Sequence, residues 1–138
     1  MKIAVIGGGI FGVTISSRLS KNHTVDLFEK NEDIMLAASD INQCRVHRGY
    51  HYPRSNSTVK EVLQANISFT EEFGEAIMHN TENYYCISKK DSLVSRDEFI
   101  KFCNENNLEY ELSTPNIINK DSIELCIKVK ENLFDHSR

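Results

Sequence analysis

Near its amino terminus the chain reads Ile3-Ala4-Val5-Ile6-Gly7-Gly8-Gly9-Ile10-Phe11-Gly12, and four of its six glycines fall in this stretch. An apolar run feeding a Gly7-x-Gly9-x-x-Gly12 turn predicts a first strand that bends directly into a first helix. Each glycine meets a steric demand. Gly7 lets the strand turn sharply. Gly9 leaves the backbone bare, so that a pyrophosphate can approach it. Gly12 lets the helix lie close to the strand. The free N–H groups and the positive dipole end of that helix then face the phosphates.

The flanks carry the rest of this reading. Ile10, Val13, Ile15 and Leu19, with the small Ser16 among them, predict a mostly apolar helix over 10–21. Asn22-His23 breaks it. Thr24-Val25-Asp26-Leu27-Phe28 is β-branched and aromatic and predicts a second strand. That strand ends at Glu29, 22 positions after Gly7, where a carboxylate can accept hydrogen bonds from an adenosine ribose. The alternative is an ordinary glycine-rich turn followed by a surface glutamate. The unbroken order of strand, turn, helix, strand and acid favours the dinucleotide site. No Gly-x-x-x-x-Gly-Lys phosphate loop occurs.

Bulk properties narrow the classes. With 138 residues, 40% of them hydrophobic, the chain suits one modest folded domain. A net charge of −4 argues against a nucleic-acid partner. There is no run of about 20 apolar residues to span a membrane. Met1-Lys2 followed at once by a short apolar stretch and glycines does not read as a secretory signal, so a cytoplasmic location is the expectation. Cys44, Cys86, Cys103 and Cys126 are far apart in sequence and are expected as free thiols, some of them buried. Their spacing does not suit a metal site.

A second segment stands out in this acidic chain. Arg45, His47, Arg48, His51 and Arg54 crowd into ten residues, with Tyr50 and Tyr52 interleaved and Gly49 between them. One reading is a loop that folds over a cofactor and faces an anionic substrate. The arginine fork suits a carboxylate or phosphate, and histidine can move a proton near neutral pH. The other reading is a solvated basic loop with one or two tyrosines in the core. Composition leaves both open.

The glycine turn followed by Ala38-Ser39, Asn42-Gln43 and His47-Arg48-Gly49-Tyr50-His51-Tyr52-Pro53-Arg54-Ser55 resembles the FAD-dependent oxidoreductases of the D-amino-acid oxidase (glycine oxidase) superfamily. The spacing of Asn42, His47, Gly49 and Tyr52 is similar to a stretch of the L-2-hydroxyglutarate dehydrogenases within it. The likeness extends along the chain, but only the first 55 residues carry specific motifs. It implies FAD as cofactor and oxidation of a C–N or C–O bond beside a carboxylate, by hydride transfer to the flavin. Carried over, Gly7, Gly9 and Gly12 would line the pyrophosphate and Glu29 would hold the ribose. Ser39, Asn42 and Gln43 would run along the cofactor, with His47 near the ring. Arg45, Arg48, Tyr52 and Arg54 are the substrate candidates, and no catalytic residue is assigned. The flavin does the hard chemistry and the protein orients the substrate. Amine oxidases and UDP-galactopyranose mutases share the opening but usually place a Gly-Gly pair after the ribose acid, where this chain has Ile34-Met35-Leu36-Ala37-Ala38.

The remainder reads as an α+β segment. Ser57-Thr58 is expected to open a helix, with Thr58 and Glu61 as a capping box and Gly74 as the stop. Tyr84–Ser88 reads as a strand, Ser95 with Glu98 as a capping box for a short helix, and residues 108–112 and 123–129 as half-buried antiparallel strands. The charges from Lys128 to Glu131 are expected in solvent. His23, His79 and His136, without evident partners, are expected at the surface. The fold class is thus α/β, a Rossmann-like βαβ start with an incomplete parallel sheet followed by antiparallel strands. Residues 1–80 are read as the N-terminal part of the FAD-binding domain and 81–138 as the start of a substrate or cap region.

A dinucleotide-binding sheet wants at least three parallel strands, and this sequence offers two. Family members are roughly twice as long or more, by the same resemblance. The expectation is an N-terminal piece of a flavoenzyme whose partner is its missing C-terminal portion or a second chain. Alone it should bind FAD weakly and not turn over a small-molecule substrate. A nicotinamide-dependent dehydrogenase, for which Glu29 favours NAD over NADP, and a non-enzymatic dinucleotide-binding module that requires a partner chain are the alternatives.

Overall fold

The computed structural model describes residues 1–135 and Ser137; His136 lies outside the described residues. The chain divides into two compact units, the first built on Met1–Cys44 and the second starting at Arg45.

In the first unit, strand β1 (Lys2–Ile6) leads through the glycine turn into helix α1 (Ile10–Ser20) and on to strand β2 (Thr24–Phe28). The strands pair in parallel from Lys2↔Thr24 to Ile6↔Phe28. Parallel pairing needs a crossover, and α1 supplies it. The expected strand, helix and second strand are all present, and they form the two-stranded Rossmann-like start. Asn22 and His23 close the helix by donating their N–H groups to Leu19 O.

The second unit is α+β. It contains β3 (Arg45–Val46), α2 (Asn56–Phe73), β4 (Ile77–Met78), β5 (Asn83–Ser88), α3 (Arg96–Glu105), β6 (Tyr110–Leu112), β7 (Ile123–Val129) and β8 (Asn132–Phe134). They form two antiparallel sheets, in the orders β3-β8-β4 and β5-β7-β6. Leu125, Ile127 and Val129 point one way from β7 into a core with Phe99, Phe102 and Cys103 of α3, Val59 of α2, and Tyr50. Alternation along β7 and one apolar face of α3 bring these residues to one side.

The α3 capping box is as expected: Ser95 Oγ accepts from the Glu98 N–H while Glu98 Oε2 accepts from the Ser95 N–H at 2.8 Å. The start of α2 differs from expectation. Ser55, three residues before Thr58, is the cap, and its hydroxyl accepts from the Thr58 N–H. Ser55, Ser57 and Thr58 are all good caps, so composition alone did not choose among them. Gly74 ends the helix as expected. The expectation of solvent for the charges from Lys128 to Glu131 fails at Glu131, which is fully buried. His79 is exposed, with Nδ1 3.4 Å from Asn132 Nδ2, whereas His23 is half-buried.

Candidate functional site

The glycine turn is built as its steric demands require. Gly7 sits at φ +101°, a left-handed value that other residues adopt only under strain, and its N–H donates to Phe28 O at 2.8 Å. A Cβ on Gly12 would lie 1.8 Å from Gly7 O, so only glycine lets α1 seat against the turn. Gly9 caps the helix with no side chain of its own to do so. Ser39 supplies that hydroxyl from 29 positions away, its Oγ accepting from the Ile10 N–H at 2.9 Å.

Glu29 closes the other side. Its Oε2 accepts from the Gly8 N–H at 2.6 Å, and its Oε1 accepts from the N–H groups of Lys30 and Asn31 at 2.8 and 2.9 Å. The Asn31 and Gly8 N–H groups are the main reason its carboxyl is held below the ordinary 4.5. It is therefore a carboxylate at neutral pH, beside the turn. The Met35 N–H donates to Gly8 O at 2.8 Å and ties the following loop to the same turn. Met35 and Cys44 take left-handed φ values of 66° and 50°. Within this loop Asn42 spends its amide on Ala38 O and Ser39 O, at 3.0 and 2.9 Å, and Gln43 is exposed. The structure thus gathers Gly7, Gly9, Gly12, Glu29 and Ser39 around one turn, and holds Asn42 through Ser39.

The second unit carries the basic segment, ordered around a residue that sequence reasoning missed. The buried Glu131 carboxylate meets Arg45 Nη2 at 2.8 Å and accepts from the Arg48 N–H at 2.8 Å. Tyr85 Oη donates to it at 3.3 Å, and His47 Nδ1 lies 3.8 Å away. Burial pushes the Glu131 carboxyl up, but His47, the Arg48 N–H and the Arg45 charge outweigh it and hold the carboxyl below 4.5. Arg45 stacks over the Tyr85 ring at 4.3 Å and is only 12% exposed. Burial raises the Tyr85 phenol, and the neighbouring Glu131 charge raises it further. Asn66 of α2 donates to His47 O at 3.1 Å.

Arg45 is thus committed to an internal carboxylate and an aromatic face. Arg48 Nη1 lies 3.4 Å from Lys130 O, Tyr52 packs against the core, and Arg54 is exposed. Tyr50 is buried with its phenol pushed up to about 12. The signal for Glu131 was present in the sequence: it continues the parity of Leu125, Ile127 and Val129, the buried face of β7.

A parallel strand-turn-helix-strand unit with obligate glycines at its turn and a carboxylate against it defines a dinucleotide-binding start. The sequence model of the FAD dependent oxidoreductase family (DAO) matches residues 2–126, and the chain belongs to that family, whose cofactor is FAD. It is 32% identical over 112 residues to the FAD-dependent monooxygenase kojA of Aspergillus flavus, and equally to the probable FAD-dependent monooxygenase kojA of Aspergillus oryzae. Those alignments cover 77% of this chain and 26% of each relative. It is 28% identical over 140 residues to the FAD-dependent monooxygenase FPY4 of Fusarium mangiferae, covering 99% of this chain and 38% of that one. The chain therefore spans well under half the length of these curated relatives. No solved structure matches it. The geometry fits an FAD pyrophosphate and ribose: a turn without side chains, a helix N-terminus, and a carboxylate at the end of β2. Among the described residues no helix is long and apolar enough to cross a membrane, and no group of three or more His, Cys, Asp or Glu could hold a metal ion.

Proposed function

We propose that this chain supplies the ADP-binding end of an FAD-dependent oxidoreductase that oxidises a C–N or C–O bond of a small anionic substrate. The observation that carries it is the turn itself. Gly12 cannot bear a Cβ, and Gly8 is braced by the acid that would meet the ribose. FAD, when bound, supplies the two-electron acceptor that takes hydride from the substrate.

This chain's own residues bind and orient. Gly7, Gly9 and Gly12 keep the turn free of side chains, so that the diphosphate can approach the main chain at the start of α1. Glu29 accepts from the ribose hydroxyls. Ser39 holds the first turn of α1, and Asn42 shapes the loop that continues along the cofactor with Gln43. By the family resemblance His47 serves the flavin end. Among the arginines, Arg48 and Arg54 are the better substrate candidates, because Arg45 is already neutralised by Glu131. Tyr52, packed against the core, would give one wall. The chain's partner in this reading is further sequence of the same enzyme or a second chain that completes the parallel sheet.

A second reading keeps the cofactor and changes the reaction. All three relatives are named monooxygenases, which favours insertion of an oxygen atom over simple dehydrogenation. The cofactor end is tested by thermal melting of the chain with FAD, NAD and ADP in parallel. FAD and ADP should raise the melting temperature, and Glu29→Gln should weaken both effects. Protection by NAD without protection by FAD would overturn the assignment. Product analysis of the completed enzyme, with isotopic oxygen, separates hydroxylation from dehydrogenation.

A further inference from the structure

Cys86 of β5 and Cys126 of β7 are 40 residues apart in sequence and directly opposite each other in the antiparallel ladder. β7 is the central strand, with β5 on one edge and β6 on the other. Cys126 O accepts from the Ser113 N–H, beyond the end of β6. The N–H and C=O of one strand residue point to the same edge, so those of Cys126 point away from β5. Cys86 and Cys126 are therefore a non-hydrogen-bonded pair, the type whose Cα atoms approach to about 4.5 Å with side chains on one face. That separation falls within the span of roughly 4.4–6.8 Å that a disulfide bridges.

The pair lies on the face of the sheet opposite the core residues Leu125, Ile127 and Val129. Cys86 is exposed and Cys126 is buried. The two thiols sense each other: after burial, Cys86 is the largest influence raising the Cys126 thiol to about 12, and Thr114 works in the opposite sense. The other two cysteines are placed differently. Cys103 is buried in the core and Cys44 belongs to the first unit.

We propose that Cys86 and Cys126 form a peroxide-sensitive dithiol that closes into a cross-strand disulfide. The chemistry balances with hydrogen peroxide as the oxidant. The Cys86 thiolate attacks one peroxide oxygen; an S–O bond forms, the O–O bond breaks, and the departing hydroxide takes up a proton to leave as water. Cys126 sulfur then attacks the Cys86 sulfenic acid. An S–S bond forms, the S–O bond breaks, and the hydroxide leaves as a second water with the Cys126 proton. Two thiols lose two electrons and two protons, and peroxide is reduced to two waters. The bridge would staple β5 to β7 one residue from Tyr85, which binds Glu131.

The test treats the 138-residue chain with hydrogen peroxide, blocks remaining thiols, and maps peptides by mass spectrometry without reduction. A cross-linked peptide pair carrying Cys86 and Cys126, lighter by two hydrogens, is expected in the folded chain. Dithiothreitol should reverse it. It should be absent in Cys86→Ser, an exposed site that the fold tolerates, and largely lost when oxidation is done in denaturant. Over-oxidation of Cys86 without a cross-link, Cys86–Cys86 dimers, or equal yield in denaturant would each overturn the proposal, as would no reaction at all.

Discussion

The two units hold their structures by different means. Every hydrophobic side chain that is buried among the described residues belongs to the second unit, from Val46 to Val129. The first unit leaves Ile6, Phe11, Ile15 and Phe28 largely exposed, and α1 has no buried residue. Its order comes from backbone geometry: a glycine turn pinned by Glu29 and Ser39. The second unit is a packed core that also buries the Glu131 carboxylate. In the proposed reading, backbone constraint serves a site where a ligand must reach main-chain amides. Side-chain packing serves a scaffold.

If that contrast is right, mutations should separate the units. The largest expected effect is in the second. Glu131→Ala leaves Arg45 buried without its partner and should cost about 3–5 kcal/mol in urea unfolding. The same carboxylate predicts a pH dependence. Its folded pKa lies below 4.5, so its contribution is complete above that value and is lost as pH falls through the lower folded value. Acid unfolding of the second unit, followed by tyrosine fluorescence, should therefore begin below about 4.5 and flatten in Glu131→Gln. An unchanged acid limb would remove Glu131 from the account.

Next comes Gly12→Ala. Its Cβ would collide with Gly7 O, and forcing the turn apart should cost about 1–3 kcal/mol. Hydrogen exchange should speed up in β1 and β2 and stay unchanged in β7. Acceleration in β7 as well would break the separation of the units. Ser95→Ala, which removes the α3 cap, should cost about 1 kcal/mol, read as a shift in the urea midpoint. The smallest stability effect is expected at Gly9→Ala, because Gly9 has an ordinary φ of −75° and a Cβ there meets only Ser39 Oγ, at 3.2 Å. Stability should hold to within about 0.5 kcal/mol, while affinity for ADP falls by about tenfold or more, measured by calorimetry. That outcome would sharpen the contrast, since the position would then serve the ligand and not the fold.

The sequence spoke most clearly where local rules act. β2 and β7 are bounded by breakers and alternate or branch consistently, and they appear where expected. The glycine turn was legible because its steric demands are local. So was the α3 capping box. The two- and three-residue strands β3, β4 and β8 were not legible, since their existence depends on partners far along the chain. Glu131 was legible in its parity with the buried face of β7, but not in its burial. Its charge suggested solvent, and its burial is offset by partners far along the sequence: Arg45, the Arg48 N–H, Tyr85 and His47. The facing of Cys86 and Cys126 is likewise set by the β5–β7 register, which no short motif encodes.

The central claim is that the Gly7–Gly12 turn grips a diphosphate through main-chain amides with Glu29 at the ribose. It is tested most directly by amide NMR of the chain titrated with ADP. The account predicts the largest shifts at Gly8 through Gly12 and at Glu29, with little change in the second unit. Shifts confined to Arg45–Arg54, or none at the turn at saturating ADP, would contradict it.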